Sequence, residues 1–217
     1  YIAAVTDYAP TVDGDRGSPG YMAKTAVELR DVDVTDLKLL ADPGVDIARE
    51  FRLDAAAQAL QPNLAGAAPL FLPEDTLPPR LAPAPPPGAQ FRVLHAPPGL
   101  YRLPARIPEN LYVAAAWLGP QNILGLVFGL DARNPGPLVL ELSGDGAKLE
   151  GTVTDAKGNP RTNVRVVLAP SAEFHDDPLA SKAGWTGPDG HFSIAGIRPG
   201  SYTAYAFSEV PDNAWLN

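Results

Sequence analysis

A formal net charge of −8 on 217 residues, with 17 scattered lysines and arginines, excludes counterion-release binding to nucleic acid. The absence of cysteine excludes disulfides, thiolate zinc sites and cysteine nucleophiles, and no apolar run reaches the roughly 18 residues a membrane-spanning helix needs. The 25 prolines and 20 glycines belong to a chain that is 45% hydrophobic, which suits short strands joined by many turns and argues against disorder.

Residues 1–41 read as the C-terminal part of one β-sandwich unit. Tyr1 to Val5 is a strand that follows a missing proline-glycine turn, VDGDRGSPG (12–20) is a polar loop, and Tyr21 to Leu29 and Leu37 to Leu40 are strands. The chain begins without methionine and ends at Asn217, so it is expected to be a piece of a longer protein.

Residues 42–147 read as a complete unit. Its first strand is VDIAREFRL (45–53), and Ala55 to Leu60 forms a helical turn favoured by alanine and glutamine. The proline-rich stretch 69–88 cannot be a central strand, because proline has no N–H for the ladder. Strands follow at Phe91, Tyr101, Leu111–Leu118, Ile123–Leu130 and Pro137–Ser143, the last with Leu138, Leu140 and Leu142 on one face.

Residues 148–217 begin a third unit. Leu149, Gly151 and Val153 alternate with polar neighbours, and a turn spans Asp155 to Pro160. Val164, Val166 and Leu168 form the next inward row. After a loop over Ala169–Ala183 comes GHFSIAGIRPGSY (190–202), a strand-turn-strand unit in which Pro199-Gly200 makes the turn. That stretch has an earlier copy, GAQFRVLHAPPGLY (88–101). Phe91, Val93, Pro98, Gly99 and Tyr101 precede Phe192, Ile194, Pro199, Gly200 and Tyr202 by a constant 101 residues. An internal repeat of this kind fixes an architecture of stacked similar units. The expected fold is therefore all-β, as tandem antiparallel Ig-like or transthyretin-like sandwiches.

The C-terminal 70 residues carry a pattern that resembles the carboxypeptidase regulatory-like domain. Gly151, Val153, Asp155, Gly158, Pro160, Val164, Val166, Thr186, Gly190, Phe192, Pro199, Gly200 and Tyr202 match it in order. The ending SEVPDNAWLN is similar to a tail found in large multi-sandwich exported proteins of acidobacteria-like bacteria. The resemblance implies a transthyretin-like sandwich and a non-catalytic spacer, adhesive or accessory role at a bacterial surface or in the periplasm. Every matched residue is a turn former or a core filler, so the pattern speaks to folding and not to chemistry.

No nucleophile elbow, zinc-binding helix motif or dinucleotide fingerprint occurs, and no enzyme activity is expected. Asp13 and Asp15, with Asp7 nearby, are the calcium candidates, in a loop that lacks the closing glutamate of an EF-hand. The sequence His175-Asp176-Asp177 is read as a solvated loop. Trp215, Trp185 and Tyr112 are the candidates for contact with a partner or a glycan. The leading functional expectation is a structural segment whose partners are copies of itself or flanking sandwiches, assembling head to tail when a strand from one copy completes a unit of the next. The alternative is a carbohydrate-binding or accessory module of a cell-surface enzyme or outer-membrane receptor.

Overall fold

The computed structural model describes residues 2–6, 22–28, 30–31, 33–40, 45–74, 92–96, 98–131, 135–171 and 177–208. Asp7, Asp13, Asp15, His175, Asp176, Trp215 and most of the proline-rich stretch lie outside these. Strands dominate what is described, and no described helix is long and apolar enough to cross a membrane.

Near the N-terminus β1 (Ile2–Thr6) pairs antiparallel with β2 (Met22–Ala26). The strand expected at Leu37–Leu40 does not form; Leu37 and Leu40 are exposed there, so no core face rewards a ladder.

The middle unit contains β3 (Val45–Leu53), helix α1 (Ala55–Ala59), β4 (Ala68–Pro69), β5 (Leu72–Pro73), β6 (Arg92–Ala96), β7 (Gly99–Arg102), β8 (Ala105–Arg106), β9 (Tyr112–Leu118), β10 (Gln121–Asn122), β11 (Phe128–Leu130) and β12 (Leu138–Ser143). One sheet has the order β10-β9-β12-β3-β6 and another the order β11-β7-β5, with β4 paired to β8 beside them. The core draws on both main sheets: Ile47, Val113, Leu138, Leu140 and Leu142 from the first, Tyr101, Phe128 and Leu130 from the second.

Two expectations are corrected here. The sheet is not purely antiparallel, because β12 runs parallel to β3, with Leu140 opposite Phe51. Ile123–Leu130 is not one strand: Gly125 takes φ +70°, the chain turns, and only Phe128–Leu130 rejoins a sheet. Asp54 caps α1, accepting a 2.6 Å hydrogen bond from the Ala57 amide.

The C-terminal unit contains β13 (Ala147–Thr152), β14 (Arg165–Pro170), β15 (Lys182–Trp185), β16 (His191–Ile197) and β17 (Tyr202–Phe207). Strand β13 pairs with β16, and a second sheet has the order β15-β14-β17. Val166 and Leu168 of one sheet meet Ile194 and Ile197 of the other, a sandwich-like arrangement. The Gly190–Tyr202 stretch is thus no hairpin. Its two strands lie in different sheets, and Arg198–Ser201 is the corner between them. The Tyr202 hydroxyl pins that corner by donating to the Arg198 carbonyl at 2.8 Å.

The residues behind the family resemblance have folding roles. Asp155 accepts hydrogen bonds from the Lys157 and Asn159 amides, closing the turn that Gly158 enters at φ +84°. Thr186, buried, accepts from the Val164 amide and donates to the Arg161 carbonyl.

The repeat extends well beyond the copied segment. Between Val45↔Ala96 and Ile47↔Val93, β3 advances two residues while β6 advances three; between Ala147↔Ile197 and Leu149↔Ile194, β13 and β16 do the same. Both units therefore carry a β-bulge at one repeat position. Leu72↔Arg102 and Pro73↔Tyr101 match Ala169↔Thr203 and Pro170↔Tyr202. Ala68↔Arg106 and Pro69↔Ala105 match Arg165↔Phe207 and Val166↔Ala206. Even the hydrogen bond from the Glu74 amide to the Leu100 carbonyl has its counterpart from Ser171 to Ser201. Strand β14 is thus β4 and β5 joined, and β17 is β7 and β8 joined. In the middle unit Pro104, whose carbonyl accepts from the Leu70 amide, lacks the N–H that would return that hydrogen bond and keep the ladder continuous.

Candidate functional site

Three surfaces of the C-terminal unit stand out: its junction with the middle unit, the outer face of its three-stranded sheet, and the edge of β17 that no described strand pairs.

The junction is built on the backbone around Glu109–Leu111. Lys182 reaches across from β15 and donates to the Leu111 carbonyl at 2.8 Å, with the Glu109 carbonyl at 3.5 Å. Burial lowers the Lys182 pKa to about 8, against an opposing effect from the Glu109 charge. Gly196 lies on the same carbonyls: a Cβ there would sit 2.5 Å from the Glu109 oxygen and 2.6 Å from the Leu111 oxygen, at φ +61°. Asp177 is buried in an ion pair with Arg198 and packs on Gly125, which corrects its reading as part of a solvated loop. Leu179 packs against the middle core.

The connection from β12 to β13 is held as firmly. The Ser143 hydroxyl lies between the carboxylates of Asp54 and Asp145, and the Tyr112 hydroxyl donates to Asp145 at 2.9 Å. These hydrogen bonds, that from Ser143 first, keep both carboxyls below their ordinary pKa. A Cβ on Gly144 would lie 2.5 Å from the Ala57 nitrogen, so α1 requires glycine there. Tyr112 is only 9% exposed and belongs to this packing, so its ring offers no open platform for a ligand.

On the outer sheet face Trp185, Arg165 and Phe207 form one cross-strand row, and Ala183, Val167 and Tyr205 the next. Trp185 is 51% exposed and Tyr205 48%. The Arg165 guanidinium lies 5.1 Å from the Trp185 ring centroid. Tyr205 and Phe207 are near-parallel, their centroids 6.0 Å apart. Of the three aromatics that the sequence marks as contact candidates, Trp185 is thus the exposed one among the described residues. Sequence reasoning missed its partners Arg165, Tyr205 and Phe207, because cross-strand register brings them together and linear spacing does not.

Strand β17 pairs with β14 on one side, and no described strand pairs with its other side. The Ser201 carbonyl accepts from Ser171 of the β14 side, so Ser201, Thr203 and Tyr205 direct their backbone groups toward β14. Tyr202, Ala204 and Ala206 then direct theirs outward. Ala204 and Ala206 lie opposite the core residues Leu168 and Val166, yet both are exposed. Small residues alternating after Tyr202 in SYTAYAF were the signal in the sequence.

No known protein family, curated protein or solved structure matches this chain.

Proposed function

We propose that this chain is a non-catalytic structural segment of an exported bacterial protein, built from tandem transthyretin-like sandwiches that associate head to tail by strand complementation. One observation carries the reading. In the middle unit, β11 covers the free side of β7 and β12 covers the free side of β3. Among the described residues, the equivalent strands β17 and β13 have no such neighbours. An open edge beside a partly covered core is a template for an added strand, and a head-to-tail contact that does not close builds a fibre. Among the described residues no further strand joins the β1–β2 pair, which fits the same logic, since a two-stranded ribbon by itself is marginal in water.

The test is the assembly state of the chain by light scattering and electron microscopy over a range of concentrations. Concentration-dependent polymers, lost in Ala206→Lys while the monomer stays folded, are expected. A chain that stays monomeric throughout sinks the reading.

The outer face favours a second reading, a glycan-binding accessory module. Tyr205 and Phe207 stand where the repeat places Pro104 and Arg106, so the shared fold does not require aromatics there. Neutral polysaccharide binding that Trp185→Ala abolishes would support it; binding that survives the change, or none at all, would count against it.

A further inference from the structure

The internal repeat offers a template for the side of β17 that no described strand pairs. In the middle unit β11 lies antiparallel on β7, with Phe128 opposite Tyr101, Gly129 opposite Leu100 and Leu130 opposite Gly99. Phe128 and Leu130 are 1% and 4% exposed, so both project into the core. The Phe128 ring lies 6.2 Å from that of Tyr101, and Phe71 meets both rings edge-on at 5.6 and 5.7 Å. Gly129, on the outer face, adds nothing to the core and leaves Leu100 exposed. Under this cover Tyr101 is 3% exposed. Its repeat partner Tyr202, packed on the smaller C-terminal core, is only half-buried.

We infer that β17 binds an antiparallel strand of the pattern large apolar, small, large apolar, in the register that sets these residues opposite Tyr202, Ser201 and Gly200. The inference rests on the strand-complementation reading and adds orientation, register and side-chain chemistry to it. The first large residue closes over Tyr202, as Phe128 does over Tyr101. The last sits above Gly200, where the absent side chain leaves room, as Leu130 does above Gly99. Beyond the triplet the strand runs past Ala204 and Ala206, whose outward backbone groups continue the ladder. Their methyl groups leave space over Leu168 and Val166 for bulky inward residues. The specificity is thus steric: small residues on β17 ask for large ones on the incoming strand.

The probe is a synthetic peptide of residues Leu124 to Asp131, which contains β11, added to the full chain. Binding is followed by fluorescence anisotropy of the labelled peptide and by hydrogen exchange of the chain. Binding that slows exchange at Tyr202 and Ala204 is expected. A peptide with Phe128→Ser and Leu130→Ser should bind at least about tenfold more weakly. The chain variant Ala204→Pro, which removes an outward N–H without touching the β14 ladder, should weaken both protection and binding. A chain that polymerises, yet neither binds the β11 peptide nor is blocked by it, overturns this inference and leaves the assembly reading intact. A chain that neither polymerises nor binds the peptide overturns both. Slow exchange at Tyr202 and Ala204 in the lone monomer also overturns the inference, because the edge is then already paired.

Discussion

Burial of Lys182 couples the junction between the two units to pH. The folded chain holds the ammonium at a pKa of about 8, below the ordinary 10.5, mainly because it has lost water. Between those two values the unfolded chain binds a proton that the folded chain does not, so stability rises with pH across the window. Below it both states carry the charge, and the penalty of burying it is constant. Lys182→Met should remove this rise, read as the difference between wild-type and variant urea-unfolding free energies through the window. Other titrating groups contribute equally to both proteins and cancel. No pattern in the sequence marked this lysine. The sequence alone puts it at the end of the loop over Ala169–Ala183, whereas it opens β15, and only the fold places the Leu111 carbonyl within reach.

At the level of elements, the bulge shared by β6 and β16 separates what the repeat needs from what the junction needs. The repeat sets His95 in register with Gly196, so glycine at this position belongs to one copy and not to the repeat. In that copy, the glycine lies against the backbone of Glu109 and Leu111, which cannot yield as a flexible side chain would. Gly196→Ala should therefore cost about 3 kcal/mol, from overpacking and from the left-handed φ together. Urea unfolding would measure it. Strand positions were largely legible: β3, β9, β12, β14, β16 and β17 follow from alternation and turn residues. What alternation could not reveal was pairing. Val167 is as buried as Val166, and Val139 nearly as buried as Leu140, so both faces of these strands are covered and the inward row read from the sequence was only half the answer.

For the molecule as a whole, the 101-residue register was the informative signal, and it understated the relationship. The strands β3 and β13 share pairing geometry with no residue identity, and β5 and β14 keep only a proline in common, Pro73 and Pro170, since a ladder constrains backbone and burial more than side-chain type. That no described strand pairs the outer side of β17 could not be read from the sequence, because a missing neighbour is not a residue. The parallel pairing of β3 with β12 has a mechanical consequence. These are the first and last strands of the middle unit, so tension along the chain enters at Val45 and leaves at Ser143, pulling the neighbours in opposite directions along their own axes. All the rungs between them are loaded together, in shear. In the C-terminal unit β13 and β16 are antiparallel, with Ala147 beside Ile197 at the end where β13 receives the load, so that pair opens one rung at a time. When single molecules are stretched, residues 147–207 should yield first and 45–143 should hold to higher force. The reverse order would show that the parallel pair does not carry the load.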